Sequence, residues 1–401
     1  MSHSNQVRLL AVCLLLSPLA ARAQEPDPFA SARVHIGPFA VNPTLEIKDV
    51  GVDTNVFNDW QNPQSDFTAT VAPGADTWLR LGRARLNVKT SLSYLYFAQY
   101  ASQRGLGTTD SMRLELRLAR LRPWVGAGYM TMRQRPGFEI DERVRLTQWS
   151  YSAGVDVPLS TRTTFGGAWR QQRTRYEQGQ LYTGYSLAQE LNRTTSIASG
   201  SVRYRLTPLT AAVLAIESVR ERFEFSTIRD SNGFRLVPGL EFAATALLTG
   251  SAHVGFRHLR MLTPGMPDYN GLVADVDLGY ALMGVTRFAV RVSRDVEYSF
   301  DPAEPFYVLT GVTGSVSQAI GGPWSVTGRV GVQRLAYRGH AGAGGQEDRT
   351  DTVHSYGGAL GYKLGAYTRL SVNVDYYTRS SVVTDLTYTG LRIGSSVTYG
   401  F

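Results

Sequence analysis

The sequence predicts an all-β chain that closes into a single antiparallel up-and-down β-barrel of about 18 strands, set in a membrane. Three observations carry this expectation. Apolar and polar residues alternate with period two in segment after segment. Leu114, Leu116 and Leu118 interleave with Arg113, Glu115 and Arg117, and Leu370, Val372, Val374 and Tyr376 with Ser371, Asn373 and Asp375. A strand sends successive side chains to opposite faces, so each segment has one oily and one polar side. Second, tight-turn pairs recur at Leu81-Gly82, Arg122-Pro123, Ser160-Thr161, Thr207-Pro208, Leu248-Thr249, Met283-Gly284, Gly321-Gly322 and Leu364-Gly365. Their spacing of roughly 40 residues is what two tilted membrane strands, one short turn and one longer loop require. Third, Trp78, Trp124 and Trp324 lie near these turns, and Tyr100, Tyr176, Phe225, Tyr298, Phe300, Tyr337 and Tyr377 near the opposite strand ends. Aromatic girdles at two membrane surfaces predict that placement.

The chain begins with a targeting signal. Met1–Arg8 is polar, residues 9–20 form an apolar run too short to span a bilayer, and Ala21-Arg22-Ala23 is a small-x-small cleavage site. Residues 1–23 are therefore expected to be a signal peptide, 24–39 a periplasmic extension and 40–401 the barrel. Cys13 lies inside the apolar run with too few apolar residues before it for a lipoprotein site. With the leader cleaved no cysteine remains, so an exported chain must draw stability from something other than disulfides. A closed barrel, with every backbone group paired, supplies it.

Strand centres are expected near Glu46, Thr70, Leu92, Glu115, Tyr129, Tyr151, Trp169, Ser199, Ala215, Leu236, Gly255, Val276, Val290, Val312, Val330, Gly357, Val374 and Val397. A miscount by one hairpin would make the number 16. An even count puts both termini in the periplasm, with the short turns beside them and the longer polar loops outside. Pro238 interrupts its segment and should sit at a bulge or strand end, because proline cannot donate to a ladder.

The last segment carries Leu391, Ile393, Val397 and Tyr399 on one face and ends in Phe401. It looks like the C-terminal signal read by the barrel assembly machinery of the outer membrane, with Tyr399 and Phe401 as its carriers. Near the start, Pro43 and Leu45, then Asp53, Asn55, Val56 and Phe57, then Ser65-Asp66-Phe67, then Pro73-Gly74 resemble the opening of the β-barrel porin 2 family. Where that family usually has tyrosine before the aspartate, this chain has Val52. The resemblance implies an outer-membrane barrel of a Gram-negative bacterium, in contact with lipid and lipopolysaccharide. It also implies a kinship with barrels that accompany exopolysaccharide export, with a polysaccharide substrate and a periplasmic export partner. Asp53 and Asn55 read by themselves as turn formers at a strand end; two oxygen side chains are too few for a calcium site.

The formal net charge is +8, and only Lys48, Lys89 and Lys363 are lysines. A GC-rich genome favours arginine codons, and a planar guanidinium also suits sulfate, phosphate and carboxylate groups. Under the expected register Arg113, Arg117, Arg143, Arg145, Arg170, Arg203, Arg205, Arg220, Arg222, Arg257, Arg287, Arg291, Arg329 and Arg392 line the lumen, with Glu115, Asp275, Asp277, Asp295, Glu297 and Asp375 among them. Two readings stand. The charges form a web of salt bridges that stiffens the wall, or they make a basic lumen that concentrates anionic solutes. A polar barrel of this size leaves an aqueous channel unless something plugs it, and no loop looks long enough for a large plug.

Other classes find little support. No Gly-x-Ser-x-Gly elbow and no metal-spaced His/Cys set occurs, so neither an enzyme nor a cofactor is expected. Ser251 and His253 share a face, but near a short turn. The positive charge lies along strands, which gives no nucleic-acid-binding patch. The sequence therefore points to a porin-like channel for hydrophilic, anionic solutes such as an acidic exopolysaccharide. A non-conducting structural or adhesion barrel is the alternative, and an outer-membrane hydrolase the least favoured one.

Overall fold

The computed structural model describes residues 29–400 except 31, 245 and 340–348. The expected signal peptide and Phe401 lie outside the described residues. Eighteen long strands form one closed antiparallel barrel. In order they are β1 (Phe39–Asp53), β2 (Asp66–Leu81), β3 (Ala84–Phe97), β4 (Gly105–Leu116), β5 (Arg122–Gln134), β6 (Val144–Pro158), β7 (Thr163–Tyr176), β8 (Arg193–Thr207) and β9 (Thr210–Phe223). There follow β10 (Ser231–Phe242), β11 (Leu248–Met261), β12 (Tyr269–Leu282), β13 (Thr286–Tyr298), β14 (Phe306–Gly321), β15 (Trp324–Arg338), β16 (Thr350–Leu364), β17 (Thr368–Ser380) and β18 (Tyr388–Tyr399). Each expected centre falls in its strand. Among the described residues no helix is long and apolar enough to cross a membrane.

Each strand pairs with its sequence neighbour, and β1 closes the ring on β18 from Leu45↔Tyr399 to Asp53↔Arg392. The ring leaves no edge strand, so the backbone groups of the wall find their partners inside it. The outer wall is oily: Leu92, Met112, Tyr151, Leu214, Ile216, Leu272 and Val330 are all exposed. An apolar band of that extent is stable only against lipid.

The turn end is tight. Gly82 (φ 57°) and Gly322 (φ 55°) take left-handed backbone in two-residue connections, where a side chain would be strained. Two expected turns move. Arg122-Pro123 opens β5 and Leu248-Thr249 opens β11, because the connections themselves lie at residues 117–121 and 243–247. Pro238 sits inside β10, at neither a bulge nor a strand end. The β10–β11 ladder simply skips from Leu236↔Phe256 to Gly239↔His253 with its register unchanged. Gly255, opposite the break, lies against the Leu236 carbonyl and Val237, where no Cβ would fit.

The expected girdles need correction. Alternation with exposed Leu81 and Val125 turns Trp78 and Trp124 to the lumen side, and Arg113 stacks on Trp124 with its guanidinium 3.8 Å from the ring. Trp324 faces outward, edge-on to Tyr362. At the other end Tyr176, Tyr298, Phe300 and Tyr337 are buried, and Tyr377 donates to Asp53. Of the expected residues Phe225 is exposed, and other exposed aromatics toward that end include Phe67, Tyr94 and Phe234.

Candidate functional site: a basic vestibule beneath inward-folded loops

At the turn end, strands β5, β8, β9, β10 and β11 and the adjoining turns line an open cavity of about 1160 Å³. Its lining includes Arg122, Arg162, Arg203, Arg205 and His253 against the carboxylate of Glu241. Arg203 donates to Glu241 at 2.7 Å, while Arg205 has no carboxylate partner among the described residues. Period-two alternation explains the convergence, since Arg203 and Arg205 stand on the face opposite exposed Tyr204 and Leu206. Ser251 and His253 also line this space. They lie opposite Asp277 and Asp275, but no hydrogen bond joins the serine, the histidine and either aspartate.

The wall above the vestibule carries Arg170, Arg287, Arg291 and Arg329 on its inner side. Arg329 bonds Asp375 at 2.8 Å, and Arg291 lies 3.6 Å from Asp277. Arg170 and Arg287 have no ion pair among the described residues. Some of these arginines are thus paired with luminal carboxylates, and others have no ion pair among the described residues.

Of the fourteen arginines expected in the lumen, Arg113, Arg117, Arg170, Arg203, Arg205, Arg257, Arg287, Arg291, Arg329 and Arg392 fall on the inner side. Arg143 belongs to a loop. Arg145, Arg220 and Arg222 face outward, on the same faces as exposed Tyr151, Leu214 and Ile216, and this corrects the expectation. A polar residue near a strand end need not be luminal, because the lipid-facing side also turns polar beyond the hydrocarbon. Tyr399 is outward on the closing strand, opposite Leu45 and Thr368.

The expectation that no loop plugs the barrel is also corrected, because several loops fold inward together. The ladder between β12 and β13 ends at Ala274↔Arg294, whereas β13 and β14 stay paired up to Tyr298↔Phe306. Past that point β13 parts from β12 while β14 stays paired with β15 as far as Phe306↔Arg338, and the hairpin, packed against the lumen side of β9–β12, buries both faces. Val296, Tyr298, Phe306 and Val308 pack with Phe223, Leu259, Met261, Tyr269 and Val273 from the wall. On its other side Tyr307 packs with Leu335, Tyr337 and Val353. Loop 135–143 adds Ile140, and loop 177–192 adds Tyr182 and a short helix, Leu187–Leu191, that buries Leu187, Ala188 and Leu191.

Hydrogen bonds cross the lumen. Ser299 donates to Glu139 Oε1 at 2.6 Å. Arg379, fully buried, donates to the Glu139 carbonyl at 2.8 Å, to Asp351 at 2.7 Å and to Asp141. Arg143 donates to the Val56 carbonyl at 2.6 Å. Burial pushes the Glu139 carboxyl up to about 7 and, with Arg135 beside it, brings the Arg143 guanidinium down to about 9, because a dry site penalises the charged form. Sequence reasoning passed over this plug. Its one local signal is Leu187 and Leu191, apolar at helical spacing inside a polar loop.

The residues that carry the family resemblance form a latch where the barrel closes. Buried Asp53 accepts from Arg392 at 2.8 Å, Tyr377 at 2.9 Å and the Asn55 backbone at 3.1 Å. Asn55 donates to the Asp59 and Thr389 carbonyls. Asp66 accepts from the backbones of Gln99 and Tyr100. Among the described residues no group of His, Cys, Asp or Glu is arranged to hold a metal.

An apolar outer wall, a charged interior, short turns at one end and longer loops at the other define an outer-membrane β-barrel of porin type. A family model described as "Putative beta-barrel porin 2" matches residues 27–401, and the chain belongs to that family. No curated protein matches. Solved structures of similar fold include OpdK with vanillate from Pseudomonas aeruginosa (10% identity, TM-score 0.48, 90% of this chain and 98% of that one). Others are OpdQ from the same organism (11%, 0.46, 90% and 96%) and its siderophore receptor PirA (8%, 0.41, 90% and 80%). The protein resides in the outer membrane.

Proposed function

We propose that the protein is a gated outer-membrane channel for hydrophilic anionic solutes, an acidic exopolysaccharide being the sharper form of that reading. The observation that carries it is the vestibule: Arg122, Arg162, Arg203, Arg205 and His253 line it with Glu241 at the periplasmic mouth, Asp156, Asp275 and Asp277 stand on the neighbouring strands, and Arg170 and Arg287 of the wall have no ion pair among the described residues. A concave site of one sign focuses its field and raises the local concentration of counter-charged solute. The periplasmic position suits cargo arriving from inside, and a periplasmic export partner would deliver it there. The plug must move for passage: loops 135–143 and 177–192 lie outside the wall ladder, whereas the β13–β14 hairpin stays bonded to β15 up to Phe306↔Arg338. The plug itself favours a second reading, a barrel that does not conduct.

Recording from the refolded protein in a planar bilayer under a salt gradient tests both. Wild type should be mostly closed, and Leu187→Asp, which puts a charge into the plug, should open a steady pore whose reversal potential favours anions. Silence from both proteins, shown to be folded, would sink the channel reading and leave the non-conducting barrel.

A further inference from the structure

We infer that the outer wall of β6–β11 carries a binding site for the phosphorylated glycolipid of the outer leaflet. This inference rests on the outer-membrane location and is independent of whether the pore conducts. Strand register sets the outward side chains in lateral rows near the loop end. In one, Trp149, Arg173, Thr194 and Arg222 are successive partners across β6, β7, β8 and β9. In the next, Gln171, Ser196, Arg220, Asn232 and Arg260 follow one another from β7 to β11. A groove of about 400 Å³ lies in this wall, lined by Trp149, Tyr151, Gln171, Arg173, Arg175 and Thr194.

The charge of this face is nearly all of one sign. Arg173 and Arg175 share a single carboxylate, Glu224, at 3.6 and 3.0 Å. Arg222 is held by neutral acceptors, the carbonyls of Glu221 and Ser231 and the Asn232 side chain at 2.7 to 2.9 Å. Those bonds fix its fork without neutralising it. Arg220 and Arg260 have no ion pair among the described residues.

Depth selects the occupant. On β9 the exposed Leu214 and Ile216 precede Arg220 on the same face, and four residues of strand span roughly 13 Å. The cations therefore stand just above the apolar band, where acyl chains give way to headgroups. Tyr151, opposite Gln171, and Phe234, two residues from Asn232, are exposed beside these rows, as aromatics are at membrane surfaces. Because loops face outward in such barrels, the headgroups at this level belong to the outer leaflet. A guanidinium binds phosphate through two parallel hydrogen bonds, so a phosphorylated sugar headgroup with acyl chains matches cations, groove and apolar band together.

The test measures binding of bisphosphorylated lipid A to the refolded protein in detergent by native mass spectrometry, with dephosphorylated lipid A and inorganic phosphate as competing probes. The expected result is a retained lipid that the dephosphorylated form replaces more than tenfold less well and that millimolar inorganic phosphate does not displace. A triple variant, Arg173→Gln with Arg220→Gln and Arg222→Gln, should weaken retention more than tenfold. A luminal control, Arg203→Gln with Arg205→Gln, should leave it unchanged. Heat-modified gel migration identifies folded protein, and a triple lysine variant at the outer positions, which keeps the charge, should restore part of the binding. Equal binding of the dephosphorylated lipid, displacement by inorganic phosphate, or equal loss in the luminal control would overturn the site.

Discussion

Ser299 and Glu139 meet across the lumen: the serine hydroxyl at the tip of the β13–β14 hairpin donates to the glutamate in the β5–β6 loop at 2.6 Å. The contact joins two loops whose strands stand on different sides of the ring, and it lies in a dry environment. Because burial holds the Glu139 carboxyl up near 7, above its value in an open loop, the plug favours the protonated form. Its contribution to closure is full below the open-state value and is lost as pH rises through about 7. Single-channel openings should become more frequent between about pH 4.5 and 7, and Glu139→Gln should flatten that dependence and keep the pore closed. A pH-independent wild type would refute the assignment.

Arg379 holds two carboxylates, Asp351 and Asp141; removing it takes away the guanidinium that joins them and leaves Asp351 to Arg349 and Ser381. Breaking a buried pair from one side costs about 3–5 kcal/mol. Arg379→Ala should leave the barrel folded while loop 135–143 becomes open to limited proteolysis. A loop as resistant as in wild type would show that the apolar part of the plug suffices.

The closing latch predicts a different outcome. Asp53→Ala removes the acceptor of Arg392 and Tyr377, and charged hydrogen bonds of this kind contribute about 1.5–3 kcal/mol each. The temperature at which the folded gel form is lost should fall, with the plug's pH response unchanged.

Arg203→Gln with Arg205→Gln, placed in a plug-loosened background, should cut anion-over-cation permeability by about tenfold without reducing conductance. An unchanged reversal potential would remove the vestibule from the selectivity of the pore.

The strands were legible because lipid imposes their pattern: Leu370, Val372 and Val374 can face only one way. The plug was not, because the same alternation in Val296 and Tyr298 serves a protein interior as well as a bilayer. What distinguishes the two is where the β12–β13 ladder stops, a relation between segments that neither segment encodes alone. Arg220 and Arg222 misled for a related reason. Polarity marks the lumen only at depths where the outside is hydrocarbon, and these two stand above that depth. The vestibule was half visible, through Arg203 and Arg205. Arg122 and Arg162 sit at turns, where a charged residue ordinarily means only solvent.

The pairing of Leu45 with Tyr399 sets an order of events in the life of the chain. Every other ladder of the wall joins neighbours along the sequence and can form as the segments arrive. This one cannot begin until the final strand has been made and delivered. Contacts so distant along the chain are slow to form, and until then two unpaired strand edges remain open to other chains. The interval before closure is therefore when this protein is most exposed to aggregation and proteolysis. A variant weakened at Asp53 would lengthen that interval, and its yield in the membrane would fall before any defect of the finished barrel could be seen.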